Sequence, residues 1–242
     1  MRVIASTDIG KARETNQDYY EIPNEDEDIA LFILADGMGG YSGGEIASKL
    51  ATNAAKNYIV TNFESTEKDK THLLELIKSA MMYANMVVFE EAKQNKELSN
   101  MGTTLEVCLI YNNRAYIGHV GDSRIYRIRK NIIRKLTKDH SYVEKLVKDG
   151  KITRQEAKNH PKKNMLLKAV GCETFIEPDI MVRGVLPDDV FIITSDGLTN
   201  MLSNEEIYKI VTDYPQSANK QLIELANERG GYDNITVIII RN

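Results

Sequence analysis

The chain reads as an α+β layered domain in which antiparallel sheets are covered by two separate pairs of helices. Three observations predict this. Short apolar runs rich in β-branched residues recur along the whole length, two pairs of runs are joined by two-residue turns, and helical periodicity appears in two blocks far apart in sequence.

The first strands are expected at residues 3–5 and 29–35. Ile46, Leu50, Ala54 and Tyr58 then recur with helical spacing, and after the polar stretch 62–71 a second stripe follows at Leu73, Leu74, Ile77, Met81, Ala84 and Val88. Met81, Met82 and Met86 are expected to fill the core on that second helix. Runs 105–111 and 115–120 flank Asn112-Asn113, and runs 124–129 and 132–136 flank Lys130-Asn131, so both pairs read as hairpins. A strand at 190–194, helices near 205–211 and 218–228, and a last strand at 235–240 complete the order. Hairpins require antiparallel pairing, which excludes a doubly wound parallel sheet.

With 242 residues, 42% hydrophobic and 27% charged, the chain has the composition of an ordinary globular protein. The stretch 62–71 separates two helical patterns rather than two cores, so we read one domain over residues 1–242. The apolar stretch at the start is too short for a signal peptide and no run is long enough to cross a membrane, which predicts a cytoplasmic protein without membrane insertion. Cys108 and Cys172 sit in apolar surroundings and are expected as buried, reduced thiols. His72, His119, His140 and His160 lack zinc-ligand spacing. Net charge is −4, yet residues 135–168 carry ten Lys or Arg against four Asp or Glu. That basic strip is interspersed with acids and offers only Tyr142 for stacking, so nucleic acid is not expected as a partner.

A glycine-rich turn, Ala35-Asp36-Gly37-Met38-Gly39-Gly40, joins an apolar strand to a helix. Such turns often cradle pyrophosphate, but here Ser42 breaks the dinucleotide pattern and Asp36 would face the phosphates it was meant to bind. A carboxylate at the tip of a strand suits a cation better. Asp122, Asp196 and Asp233 also fall at the ends of apolar runs, and four such acids gathered on one rim would repel unless neutralised. An all-oxygen donor set favours magnesium or manganese over zinc.

These acids sit within six ordered motifs: Gly10-x-x-Arg13-x-x-Asn16-Gln17-Asp18, Ala35-Asp36-Gly37-Met38-Gly39-Gly40, Met101-Gly102-Thr103-Thr104, Gly118-His119-Val120-Gly121-Asp122-Ser123-Arg124, Ser195-Asp196-Gly197 and Asp233-Asn234-Ile235-Thr236. The series resembles the metal-dependent serine/threonine protein phosphatases of the phosphatase-2C type (PPM family) in their bacterial form, from Thr7 to Val237. The resemblance implies a four-layer α-β-β-α sandwich with two central antiparallel sheets. It implies that Asp36 bridges two Mn2+ or Mg2+ ions with the Gly37 carbonyl on one of them. Asp196 and Asp233 would complete the other ion's shell, and Asp18 would hold metal-bound water from the first or second shell. Asp122, with Asp196, corresponds to the weaker third metal site of bacterial relatives, and Arg13 to the grip on the substrate phosphate. The implied reaction is hydrolysis of phosphoserine and phosphothreonine in proteins, by in-line attack of a metal-bridging hydroxide. The implied partners are phosphorylated proteins and a cognate bacterial Ser/Thr kinase, and nothing in the sequence suggests an oligomer, so a monomer is expected.

The physical requirement for each part stands independently. Phosphate monoesters hydrolyse so slowly that enzymes accelerate them by up to ~10²¹, and paired metal ions can bring a water's pKa from 15.7 to about 7. The planar fork of Arg13 matches two phosphate oxygens where Lys would not. Gly37, Gly39 and Gly40 are expected to allow a tight turn with a carbonyl aimed at a metal.

The sequence also departs from the family pattern. Met38 and Tyr41 occupy positions where relatives often carry a candidate general-acid His, and Gln17 stands where eukaryotic members have Glu. Residues 140–171 align with the family's mobile flap, whose basic character suits phosphoproteins with acidic surroundings. Neutralising Lys162 and Lys163 is therefore expected to raise KM for phosphoproteins while sparing a small aryl phosphate. Cys108 and Arg114 have the five-residue gap of cysteine-based phosphatases, but they read as a strand entering a hairpin, not as a phosphate loop around an activated thiolate. A purely binding role would tolerate loss of the metal acids, whereas this chain keeps Asp36, Asp196 and Asp233.

Overall fold

The computed structural model describes residues 1–23 and 29–242, and the side chains of all of these but residues 40–42. Its strands form two antiparallel sheets. The first has the order β1 (Arg2–Asp8), β11 (Ile235–Arg241), β10 (Val190–Thr194), β7 (Arg124–Arg129) and β8 (Ile132–Lys135). The second has the order β2 (Asp18–Glu21), β3 (Ala30–Met38), β5 (Leu105–Tyr111), β6 (Arg114–Val120) and β9 (Asp179–Gly184), with the short β4 (Gly102–Thr103) paired to the end of β3.

The central strands β3, β5, β10 and β11 read as largely apolar runs because both of their faces are buried. Along β3, Leu31, Ile33 and Ala35 pack towards helices α1 (Gly40–Phe63) and α2 (Lys70–Gln94), while Phe32 and Leu34 face the other sheet. Along β11, Ile235, Val237 and Ile239 face α6 (Asn204–Asp213) and α7 (Ala218–Glu228), while Ile238 and Ile240 face inwards. This period of two produces three apolar layers and hence the α-β-β-α order. Both expected hairpins form. Asn112 and Asn113 take φ of 46° and 56°, and Lys130 and Asn131 take 48° and 61°. Positive φ at both central residues is the requirement of the type I′ turn.

Three sequence expectations are corrected. On α1 the core face is made of Ala47, Ala51, Ala54, Ala55 and Ile59, so Ala54 of the expected stripe is buried while Ile46, Leu50 and Tyr58 only flank it, because small residues let the helix lie close to its neighbours. On α2 Met81 is buried but Met86 is 50% exposed, since it lies off the buried stripe of Ile77, Met81, Ala84 and Val88. Cys108 is buried between the sheets as expected, whereas Cys172 is exposed in the segment after the flap. The close fit of α2 is visible at Gly118 of β6, where a Cβ would lie 2.3 Å from Met81 Sδ and 2.7 Å from Ile77 Cγ2.

Strand register brings the acids to one end of the sandwich. Asp18 lies opposite Asp36, Leu105 opposite Val120, Thr194 opposite both Arg124 and Val237. The end of β3, the β6–β7 turn, the end of β10 and the starts of β2 and β11 therefore share a rim. Over that rim lies the segment 140–171, with α3 (Tyr142–Lys148) and α4 (Arg154–Lys158), closed on itself where Ser141 pairs with Leu166 and tied to the sheets where Thr103 pairs with Val170.

Candidate metal centre and active cleft

A cleft of about 500 Å³ opens at the rim, lined by Arg13, Asp36, Gly37, Asp122, Asp196 and Asp233, with Gln17, Met38 and Thr104 beside them and Asn164 and Leu166 of the flap above. Of the seven residues named from the sequence, only Asp18 lies off the cleft surface. It is buried directly behind, 6% exposed, at the position paired with Asp36.

Each acid is held by its local structure. Asp36 has its backbone N–H donating to Thr104 Oγ1 at 2.9 Å, and its carbonyl accepts from the Thr104 N–H at 2.9 Å and from Thr103 Oγ1 at 2.9 Å. Thr104 Oγ1 also lies 2.9 Å from Ser123 Oγ, which ties the Asp36 strand to the Asp122 turn. Asp18 Oδ2 accepts hydrogen bonds from Ser195 Oγ at 2.8 Å and Thr236 Oγ1 at 2.7 Å. Asp196 Oδ2 accepts from Asn200 Nδ2 at 3.0 Å on the one-turn helix α5 (Asp196–Thr199). Asp233 Oδ2 accepts from Arg13 Nη2 at 2.8 Å, and its Oδ1 from the Asn234 N–H at 2.9 Å. The loop carrying Arg13 is fastened by Asn234, whose Nδ2 donates to the carbonyls of Ile9 and Thr15 and whose Oδ1 accepts from the Gln17 N–H. Sequence reasoning missed these supporting hydroxyls and amides. Ser195, Thr236, Thr103, Thr104 and Asn234 all sat inside the quoted motifs, and that placement was the only signal for them.

Gly37 needs its missing side chain for a different reason than the one expected. It lies inside β3 without a positive φ, and a Cβ there would fall 2.0 Å from the Gly44 carbonyl oxygen of α1. Close backbone approach, rather than turn geometry, requires glycine at this point, while Gly39 supplies the left-handed conformation at φ 129°. Tyr41 lies outside the described side chains.

The electrostatics identify what the cluster can hold. Burial pushes the Asp18 carboxyl up to about 7, against the pull of its two hydroxyl donors, and Asp196 and Asp233 push it further. Asp122 rises to about 8 and Asp196 to about 6, again from burial first and neighbouring carboxylates second. Asp36 rises well above its ordinary value through burial and then through Asp18, Asp196, Asp122 and Asp233. Asp18 Oδ1 has no hydrogen-bond partner among the described residues. Repelling carboxylates together with an orphaned buried oxygen, and neither His nor Cys among the cleft residues, fit hard divalent cations. A separate grouping of Glu67, Asp69 and His72 is wholly exposed, and Asp69 there serves as the N-cap of α2. By contrast, the Cys108 thiol is pushed up to about 12 by burial and faces the inter-sheet core, so it cannot serve as a nucleophile.

Comparison with known proteins agrees with this geometry. The family model for protein phosphatase 2C matches residues 10–229. A putative protein phosphatase 2C-type of Streptococcus pyogenes is 39% identical over 100% of this chain and 98% of its own length. The serine/threonine phosphatase stp of Listeria monocytogenes is 34% identical over 97% of this chain and 93% of its own. Among solved structures, the serine/threonine phosphatase PstP/Ppp of Mycobacterium tuberculosis superposes with a TM-score of 0.88 at 32% identity, covering 100% of this chain and 99% of that one. The catalytic domain of PstP in complex with two manganese ions superposes at 0.85, with 32% identity over 98% of this chain and 96% of that one. Likeness of sequence and of fold thus runs end to end through every segment that supplies an acid to the cleft, and the chain belongs to the protein phosphatase 2C family.

Proposed function

We propose that residues 1–242 form one catalytic domain, with its flap at 140–171, that removes phosphate from phosphoserine and phosphothreonine in cytoplasmic proteins and so opposes a Ser/Thr kinase. Membership of the family makes the enzyme a metal-dependent protein phosphatase that uses Mn2+ or Mg2+. The observation that carries the assignment to this cleft is the convergence of Asp18, Asp36, Asp122, Asp196 and Asp233 from separate chain segments, one with an unpartnered buried oxygen.

In this reading Asp36, Asp196 and Asp233 hold two cations, with the Gly37 carbonyl and Asp18 in support, and Asp122 with Asp196 offers a third position. The cations, when bound, neutralise the carboxylates and bring a water's pKa towards about 7, so that hydroxide is present at neutral pH. Asp18 is anchored by Ser195 and Thr236 through one oxygen and keeps the other available to accept a proton or a ligand. Arg13 is half exposed at the mouth, where its fork reaches outwards from a loop locked by Asn234. Its bond to Asp233 employs one end of the guanidinium, and phosphate oxygens compete for the rest. In this reading the enzyme acts as a monomer; among the described residues no helix is long and apolar enough to cross a membrane.

The test is phosphate release from a phosphothreonine peptide with Mn2+, with Mg2+ and with chelator, for the natural protein and for Asp36→Asn and Asp196→Asn. Metal-dependent release that disappears in both variants is expected. No release with either metal overturns the assignment.

A further inference from the structure

A second cavity of about 420 Å³ opens beside the active cleft, and the two share Met38 and Leu166 as a common wall. Its other sides come from the end of the flap and the segment after it, chiefly Leu167, Ala169, Phe175 and Ile176. Leu167 and Phe175 are 46% and 56% exposed, so the groove presents apolar surface to water right next to the reacting centre.

The groove is preformed. The ridge is fixed by hydrogen bonds from the Tyr142 N–H to the Met165 carbonyl and from the Leu167 N–H to the His140 carbonyl, each 2.8 Å. The far wall is held from below by buried Asn85 of α2, whose Oδ1 accepts from the Gly171 N–H at 2.8 Å and whose Nδ2 donates to the Glu173 carbonyl at 2.9 Å. Lys168, Glu173 and Glu177 share the lining with the apolar residues, and two of them are engaged: Lys168 Nζ donates to the Glu177 carbonyl at 2.7 Å and Lys78 pairs with the Glu177 carboxylate at 3.3 Å.

We propose that this groove is a substrate subsite that receives a bulky apolar side chain of the phosphopeptide, a few residues from the phosphorylated one. The inference rests on the phosphatase reading of the neighbouring cleft. Continuity across the Met38–Leu166 ridge selects the occupant. A peptide anchored by its phosphate in the cleft must leave over one of the walls, and an extended chain advances by about 3.3–3.6 Å per residue. Its next apolar side chain then meets the groove intramolecularly, at high effective concentration, so even a shallow contact contributes to recognition. An untethered partner would gain little from so small a surface.

The experiment compares kcat/KM, with saturating Mn2+, for phosphothreonine peptides in which a single Leu is walked away from the phosphothreonine on either side through a Gly/Ser background. A small aryl phosphate is run in parallel. One Leu position is expected to raise kcat/KM by about tenfold, the scale of an apolar group entering a hydrophobic pocket. Leu167→Ser and Phe175→Ser, both at exposed positions, should remove that gain while aryl phosphate turnover stays as in the natural protein. A flat Leu profile, or a profile that neither variant changes, overturns the subsite while intact aryl phosphate turnover leaves the phosphatase reading standing. Absence of aryl phosphate and peptide turnover in the natural protein overturns both.

Discussion

Replacing Asp18 by Asn should stabilise the metal-stripped protein and weaken its response to metal. Asp18 is 6% exposed and sits among Asp36, Asp196 and Asp233, with its pKa raised from 3.8 to about 7. A carboxyl whose folded pKa is raised contributes stability that is complete below its unfolded value and is lost as pH rises through the folded one. At ~1.36 kcal/mol per pH unit, the raised pKa of Asp18 costs the metal-free fold about 4 kcal/mol at pH 8 and about 2 kcal/mol at pH 5, where only the unfolded chain has released the proton. An Asn keeps an oxygen for the Ser195 and Thr236 hydroxyls but places an amide where Oδ1 has no partner, at a cost of about 1–3 kcal/mol. The net gain in chelator at pH 8 is therefore about 2 kcal/mol, or roughly 4–8 °C in Tm for a chain of this size, and it vanishes near pH 5. Thermal unfolding in chelator and in Mn2+ at both pH values measures this. With Mn2+ the order should invert, because a charge that the cations bind has been removed and the natural protein gains the larger Tm increment. The reasoning is refuted if Asp18→Asn melts lower than the natural protein in chelator at pH 8, or if its advantage grows as pH falls.

Other perturbations probe the layers around the site. Gly118→Ala should cost about 1–3 kcal/mol in urea unfolding, because the new methyl group would meet Met81 and Ile77 of α2 well inside contact distance. Glu106 and His119 form a hydrogen-bonded pair that is wholly buried beneath the β6–β7 turn. Glu106→Ala should thus cost about 2 kcal/mol more than Glu106→Gln, which keeps a partner for the ring, and equal losses would show that the pair contributes nothing specific. Changing Lys162 and Lys163 together to Ser should raise KM for an acidic phosphoprotein and leave that for an aryl phosphate alone, since both lysines are exposed beside Asn164 at the cleft margin. Equal effects on the two substrates would remove the flap from substrate attraction.

What could be read from the sequence, and what could not, follows from the range of each interaction. Strands β3, β5, β6, β10 and β11 announce themselves because burial on both faces fills most of their positions with apolar residues, and the hairpins because two positive-φ residues in a row admit few residue types. The acids stand out for a related reason: a carboxylate directly after an apolar strand has no structural excuse unless something neutralises it. The parts that stayed hidden depend on a partner distant in the chain. Ser195 lies 177 positions from the Asp18 it bonds, and Thr236 lies 218 away, so nothing in either local pattern marks the hydroxyl as a support for a buried acid. The helix faces show the same limit. Periodicity located α1 but favoured its larger residues, whereas the surface that meets the core is the alanine face, chosen by how closely the helix approaches. Gly37 reads from the sequence as a residue that must lack a side chain, yet the cause is the Gly44 backbone of the following helix rather than its own torsion angle. The groove beside the cleft is the extreme case. Met38, Leu167 and Phe175 come from different segments and share no spacing, so only the packed structure shows that they face one space. Carboxylates that repel one another can be recognised singly, because each is costly where it stands; the surfaces that would discriminate between substrates consist of ordinary residues and acquire meaning only through their position.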